Sequence, residues 1–167
     1  MRRSRHPVYL SSRDNTQLAE IPAGRAGVLE TLTHMRRMVR EAKRDYFIKR
    51  TADNIVNHVA QKDWVNEARA IHAYVRDHIA YRMDPNNIEM VKTPQKVLET
   101  ASGDCDDKSV LAAALLESLG HPARFVAVGF TPGELTHVYV ETKIGNRWFA
   151  VETTEPMEFG DAVAGFL

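Results

Sequence analysis

One thiol, one imidazole and one carboxylate in the second half of the chain have the types and spacing for acyl transfer. Cys105 is the single cysteine among 167 residues. It lies in Ser102-Gly103-Asp104-Cys105-Asp106-Asp107, at the expected start of a strongly helical run that reaches Leu119 and is stopped by Gly120. A helix N-terminus has unpaired N–H groups and the positive end of the dipole, which favour a thiolate and an oxyanion beside it. Three neighbouring aspartates act the other way, because like charge disfavours a thiolate. A nearby cation is needed, and His137 is the candidate. Glu152 lies 15 residues beyond it.

Hairpin parity tests whether His137 and Glu152 can meet. After Pro122 the hydrophobic period becomes two, and Arg124–Phe130, His137–Thr142 and Arg147–Glu152 read as strands. Gly145-Asn146 marks the turn between the last two. A four-residue loop, 143–146, sets His137 opposite Glu152. A two-residue loop sets Glu152 opposite Tyr139, with His137 its diagonal neighbour. Either puts both side chains on one face, whereas a three-residue loop would separate them. In such a pair Glu152 orients the imidazole and stabilises its charged form, while His137 activates Cys105. By the same parity Trp148 shares their face, either lining the site or packing in the core.

Helices come first in the chain. Residues 1–23 read as irregular, with Pro7 and Pro22 as breakers and Ser11, Ser12, Asp14 and Asn15 suited to turns. Val28, Leu29, Leu32, Met35, Met38, Val39 and Ala42 recur at helical spacing, and the pattern runs on towards Val59 as one helix or two. Another helix starts near Asp63 or Trp64 and buries Ala68, Ile71, Tyr74, Val75, His78 and Ile79. Residues 82–93 read as a polar loop. Thr93 caps a short helix with Pro94 at its first position. The run after Cys105 is apolar around most of its circumference, so it is expected to be central. Helices followed by antiparallel strands define an α+β fold.

Composition limits the alternatives. A chain of this length with 44% hydrophobic and 26% charged residues suits one globular domain with a core that needs no disulfides. One cysteine permits neither an internal disulfide nor a multi-thiolate zinc site. Asp104, Asp106 and Asp107 with His137 or His121 have the donor types for a cation, but Asp-Cys-Asp-Asp lacks the alternating spacing and glycine of a calcium loop. Neither a metal nor a cofactor is expected. The other histidines (His6, His34, His58, His72, His78, His121) lack a comparable geometry.

The formal net charge of zero conceals a split. Residues 1–50 have 12 Lys/Arg against 5 Asp/Glu, a net +7, and residues 51–167 have 10 against 17, a net −7. The basic part reads either as a solvated helix face docked on an acidic body or as an arm for an anionic or protein partner. Nucleic acid is not the expected partner. The charged N-terminus is followed by no apolar targeting segment, and the longest nearly apolar run, Val110–Leu116, is far too short for a membrane span. A cytoplasmic protein without membrane contact is the expectation.

Taken together, Gly103-Asp104-Cys105-Asp106-Asp107, the helix ending Leu119-Gly120-His121-Pro122-Ala123-Arg124, then His137, then Trp148 and Glu152 resemble the transglutaminase-like superfamily. Its core is similar to that of papain-like cysteine enzymes. The resemblance spans about residues 68–156, including Ile79-Ala80-Tyr81. It implies a transglutaminase-like core over 61–167 and does not cover residues 1–60, which by charge and periodicity read as a basic, mainly helical N-terminal extension. It also implies the triad Cys105, His137 and Glu152. The family's acid is commonly Asp, often followed by Pro, whereas this chain has Glu152-Thr153-Thr154, one methylene longer.

The implied chemistry is attack of the Cys105 sulfur on an amide or ester carbonyl, with the Cys105 N–H at the oxyanion and His137 protonating the leaving amine. Water then gives a peptidase or amidase acting on a peptide or protein, and an amine gives a transglutaminase. A second oxyanion donor is expected upstream, where Gln95, Tyr81, Asn86 and Asn87 lie, and substrate specificity is expected in loops 82–93 and 131–136. The alternative is a non-catalytic assembly or binding module on the same fold, such as a phage structural or accessory protein, which would be virion-associated.

Overall fold

Asp45 divides the long helical pattern in two. In the computed structural model, which describes residues 5–11, 16–22, 25–85, 89–129 and 135–163, helix α1 spans Arg25–Ala42 and helix α2 spans Tyr46–Val56. Asp45 has an extended backbone, and its carboxylate accepts the N–H groups of Phe47 at 2.9 Å and Ile48 at 3.3 Å. That cap starts a new helix where the old one would have continued. Asp63 does the same for helix α3, Trp64–His78, by accepting Asn66 N–H at 3.3 Å.

Residues Ala80–Tyr81 form a short strand, β3, and Ser102–Gly103 form its parallel partner, β5. Between them lies helix α4, Pro94–Thr100, capped by the Thr93 hydroxyl on Lys96 N–H at 3.2 Å. Helix α5, Cys105–Ser118, follows β5 directly. Its residues from Asp107 to Leu116 are all buried. Leu111, Leu115 and Leu116 are fully sequestered, and each contributes about 1.5–3 kcal/mol through burial. Met35 and Val39 of α1, Ile48 and Ala52 of α2, and Ala68, Ile71 and Val75 of α3 join the same core. Glu117 of α5 adds a polar tie to α1, accepting from Arg36 and from Lys43.

The three expected strands are β6, Ala123–Val128, β7, His137–Ile144, and β8, Arg147–Val151, antiparallel in the order β6-β7-β8. The Phe130 end of the first expected strand and residues 131–134 of the expected specificity loop lie outside the described residues. Val138, Val140 and Val151 face the core around α5, while Val128, Tyr139 and Ala150 on the other face pack with Ala162 and Val163. Ile144 pairs with Arg147 across a two-residue turn. Gly145 has φ +61°, in the region that favours glycine and that such a turn demands.

The N-terminal segment is not irregular. Strand β1, Arg5–Ser11, pairs antiparallel with β2, Thr16–Pro22, and parallel with β4, Glu89–Val91, giving a sheet in the order β2-β1-β4. The two prolines that suggested otherwise are accommodated. Pro7 lies outside the Val8–Leu10 stretch that meets β4, and Pro22 sits at the last register position, opposite Arg5. A proline's missing N–H is tolerated at such edges. Residues 12–15 of the expected turn are outside the described residues. The loop expected over 82–93 likewise contains β4, and Asn86 and Asn87 are outside the description.

Candidate active site

The first turn of α5 is assembled around Asp107. Asp104 is the N-cap and accepts Asp107 N–H at 3.1 Å, while Asp107 Oδ2 accepts Asp104 N–H at 3.2 Å, a reciprocal capping box. Asp107 Oδ1 accepts Lys92 N–H at 2.7 Å, tying the chain just after β4 to the start of α5. Gly103 is required by this packing. A Cβ there would stand 2.4 Å from Asp107 Cβ, which is fully buried and has nowhere to go.

Cys105 follows as the first residue of the helix. Its thiol donates to Asp106 Oδ1 at 3.8 Å, and the backbone N–H groups of Val138 and Asp106 lie near enough to the sulfur to favour its charged form. The thiol therefore lies against the start of β7, beside His137. Burial pushes the thiol pKa up, and the Asp106 and Asp104 carboxyls push it further; the two N–H groups pull it down only in part. The lowering expected from the helix terminus is thus outweighed, and the resting sulfur is a thiol.

His137 and Glu152 meet. His137 Nε2 donates to Glu152 Oε2 at 2.6 Å. The other oxygen, Oε1, accepts Thr154 N–H at 2.9 Å. Glu152 has no solvent exposure and the His137 side chain only 9%. The two-residue turn makes them diagonal neighbours, and β8 ends at Val151, so the longer Glu side chain can span the offset.

Two residues at this site are missing from the sequence reading. His72 of α3 is buried, and its Nε2 donates to the Glu152 carbonyl at 2.7 Å. Burial holds its pKa below the ordinary histidine value. Its place between Ala68 and Val75 on the apolar face of α3 is the sequence signal of a partner, since a buried ring N–H needs an acceptor. Lys108, one turn beyond Cys105, is also buried. Its Nζ donates to the carbonyls of Ile79 at 2.7 Å and Arg76 at 3.4 Å, capping the end of α3 beneath the site. A lysine inside an otherwise apolar helical run is the corresponding signal.

The remaining candidates lie apart from Cys105, His137 and Glu152. Trp148 stands opposite Lys143 near the turn end of the hairpin, with the Arg124 guanidinium 4.0 Å from its ring centroid. Its partner is thus Arg124, itself bonded to Glu141. His121 bonds Glu67 at 2.8 Å, away from the aspartates it was considered with. Among the described residues, the carboxylates placed to hold a cation are Asp84, Asp104 and Asp107, with donor oxygens within 4.8 Å of one another, rather than a set including Asp106. Oxygen donors suit a hard cation, but here they serve the protein's own N–H groups: Asp84 takes Met90 N–H at 2.6 Å, and the other two cap α5 and Lys92. Burial, with Asp106 and Asp107 nearby, raises Asp104 to about 8, so at neutral pH it is protonated and hydrogen bonds to Asp84. No helix among the described residues is long and apolar enough to cross a membrane.

The family model described as the transglutaminase-like superfamily matches residues 49–153. That is more than half of the chain, and the chain belongs to this superfamily. Two solved structures share the fold. One is a candidate cysteine protease from Cytophaga hutchinsonii, 19% identical, with a TM-score of 0.53 over 64% of this chain and 36% of that one. The other is a candidate protease from Parabacteroides distasonis, 13% identical, with a TM-score of 0.62 over 92% of this chain and 36% of that one. The chain thus spans about a third of each. None of the curated protein sequences matches it.

Proposed function

We propose that the chain is a cysteine-dependent acyl-transfer enzyme acting on an amide bond in a peptide or protein. The observation that carries this is the fully buried Glu152 bonded to His137 at 2.6 Å, at the start of the strand whose next residue, Val138, has its N–H near the Cys105 sulfur. Nε2 is engaged with Glu152, so Nδ1 is the nitrogen that serves the thiol. Because the resting sulfur is protonated, His137 acts as a general base during attack and not as one half of a standing ion pair. The S–C bond forms as the thiol proton moves to His137, and the carbonyl oxygen becomes an oxyanion at the Cys105 N–H. Glu152 stabilises the imidazolium. His137 then returns the proton to the departing amine, leaving a thioester on Cys105. Water or a second amine, deprotonated by His137, resolves it.

The protease descriptions of the two structural neighbours favour water as the acceptor; the family name favours an amine. Incubation with a peptide mixture, with a glutamine-containing peptide plus a primary amine, and with peptidoglycan fragments tests the reading. New amino termini, released ammonia or incorporated amine are expected from the native chain and not from Cys105→Ala. Identical behaviour of the two would contradict it.

A second reading is a non-catalytic assembly module. The raised thiol pKa favours it, because an inert buried cysteine has the same signature. It predicts that Cys105→Ala leaves every function intact.

A further inference from the structure

Lys108 is buried, yet among the described residues its ammonium has no carboxylate at salt-bridge distance. Nζ donates instead to the carbonyls of Ile79 at 2.7 Å and Arg76 at 3.4 Å. Ile79 is the C-cap of α3 and leads directly into β3. There Ala80 N–H bonds Ala101 O and Arg82 N–H bonds Gly103 O, both at 2.9 Å. One side chain of the thiol-bearing helix therefore holds the junction between α3 and β3. Helix α3 also carries His72, which donates to the Glu152 carbonyl at 2.7 Å, and Glu152 holds His137 at 2.6 Å. These bonds close a circuit. It runs from Lys108 through α3 to the acid and the imidazole, and through β3 and β5 back to Cys105.

Charge follows the same path. The carboxylates that act on the Lys108 ammonium are Asp77 and Glu152. Asp77 is exposed and already bonded to the Arg76 guanidinium at 2.8 Å. Glu152 is fully buried, and its oxygens accept from His137 Nε2 and Thr154 N–H. A buried carboxylate and a buried ammonium each need compensation, and here each offsets the other. We propose that Lys108 is a positioning residue for acyl transfer: its ammonium pins the end of α3 to the thiol-bearing helix and balances the buried Glu152 carboxylate that orients His137. The inference rests on the acyl-transfer reading. Lys108 acts through Glu152 and His137, not on the substrate. Without its charge, the His137–Glu152 pair takes up a second proton more readily, because the doubly protonated pair no longer lies near a like charge. The acidic limb of the acylation rate, where His137 ceases to act as a base, then lies at higher pH. The other titratable and charged groups facing this set are His72, Arg76 and Asp77 of α3, Tyr139 of β7, Cys105 and Asp106 of α5, and Glu158. All of them stay in place in the variants below.

Two variants separate the charge from the pin. Lys108→Gln keeps a donor for the Ile79 carbonyl and removes the charge, whereas Lys108→Met removes both. The probe is p-nitrophenyl acetate: the S–C bond forms, the C–O bond breaks, p-nitrophenolate leaves and the thiol proton passes to His137. In Lys108→Gln the acidic limb of the acylation rate should move up by about half a pH unit or more. In Lys108→Met the limb should move as far, and the rate on the plateau should fall on the order of 10²-fold, because the site is then also misplaced. An unmoved limb in Lys108→Gln overturns the proposal even if the rate falls, since a purely structural role slows acylation equally at every pH. A Lys108→Met no slower than Lys108→Gln overturns it too. Should Lys108→Gln fail to fold, heteronuclear NMR of the native chain decides. The Lys108 Nζ signal should be that of an ammonium whose shift follows the midpoint of the acidic limb, and a neutral amine or a shift that ignores that midpoint overturns the proposal. A native chain that Cys105→Ala matches in acylation rate overturns the proposed function and this inference together.

Discussion

Glu152 stands in register with Tyr139 if the β7–β8 pairing is extended by one residue, yet it is His137, its diagonal neighbour, that it holds at 2.6 Å. The strand stops at Val151, and the carboxylate is pinned from the far side by Thr154 N–H. A Glu at this place supplies the reach that a directly opposed, shorter acid would not need.

That relationship predicts the effect of Glu152→Gln. The amide would keep the volume but present a donor or a weaker acceptor to Nε2, disturbing the tautomer that leaves Nδ1 for the thiol. Acylation by p-nitrophenyl acetate should fall on the order of 10²–10⁴-fold, the range in which loss of a triad acid acts. Stopped-flow rates at pH 7 check this, and a loss below tenfold would show that Glu152 is not orienting His137.

His72→Ala removes the donor to the Glu152 carbonyl and leaves a cavity between α3 and β8. A buried unsatisfied carbonyl and the lost packing together cost about 2–4 kcal/mol. Urea denaturation should show that decrease, with acylation slowed in the fraction that remains folded.

Asp106→Asn removes the carboxyl that, after burial, most strongly raises the Cys105 pKa. The midpoint of the alkylation rate against pH should move down, and the rate at pH 7 should rise several-fold. An unmoved midpoint would show that burial alone holds the thiol neutral.

Asp104 is protonated in the fold up to about pH 8, whereas in the unfolded chain it ionises near 3.8. Between these values the folded state binds the extra proton, so this group's contribution makes stability fall as pH rises. Asn at 104 keeps both a cap oxygen and a donor towards Asp84 but cannot ionise. The stability of Asp104→Asn relative to the native chain should therefore increase from pH 4 to pH 8. Chemical denaturation at the two pH values checks the sign, and a constant difference would contradict it.

The site was legible where chain-local rules governed it. Gly145-Asn146 fixes an even-length turn, and parity then puts His137 and Glu152 on one face without any knowledge of the rest of the fold. Gly120 and the aspartates around Cys105 similarly mark the two ends of α5. His72 and Lys108 carry no such local signal of their partners, because these lie 80 and 29 positions away and depend on how α3 packs. Pro7 and Pro22 read as breakers in the sequence, yet the segment between them forms a hairpin. Pro22 ends the edge strand β2 and Pro7 lies where β1 has β2 alone beside it, and β4, the strand that pairs with β1 on its other side, is a three-residue segment with no periodic pattern to reveal it.

The central claim is that His137, held by Glu152, activates Cys105 towards a carbonyl. Mass spectrometry of the intact protein and its peptides after mixing with p-nitrophenyl acetate measures this directly. Acetyl thioester should accumulate on Cys105 with a burst of p-nitrophenolate in the native chain, and at least about 100-fold more slowly in His137→Ala. Equal acetylation rates in the two proteins, or none at Cys105 in the native chain, would contradict the account.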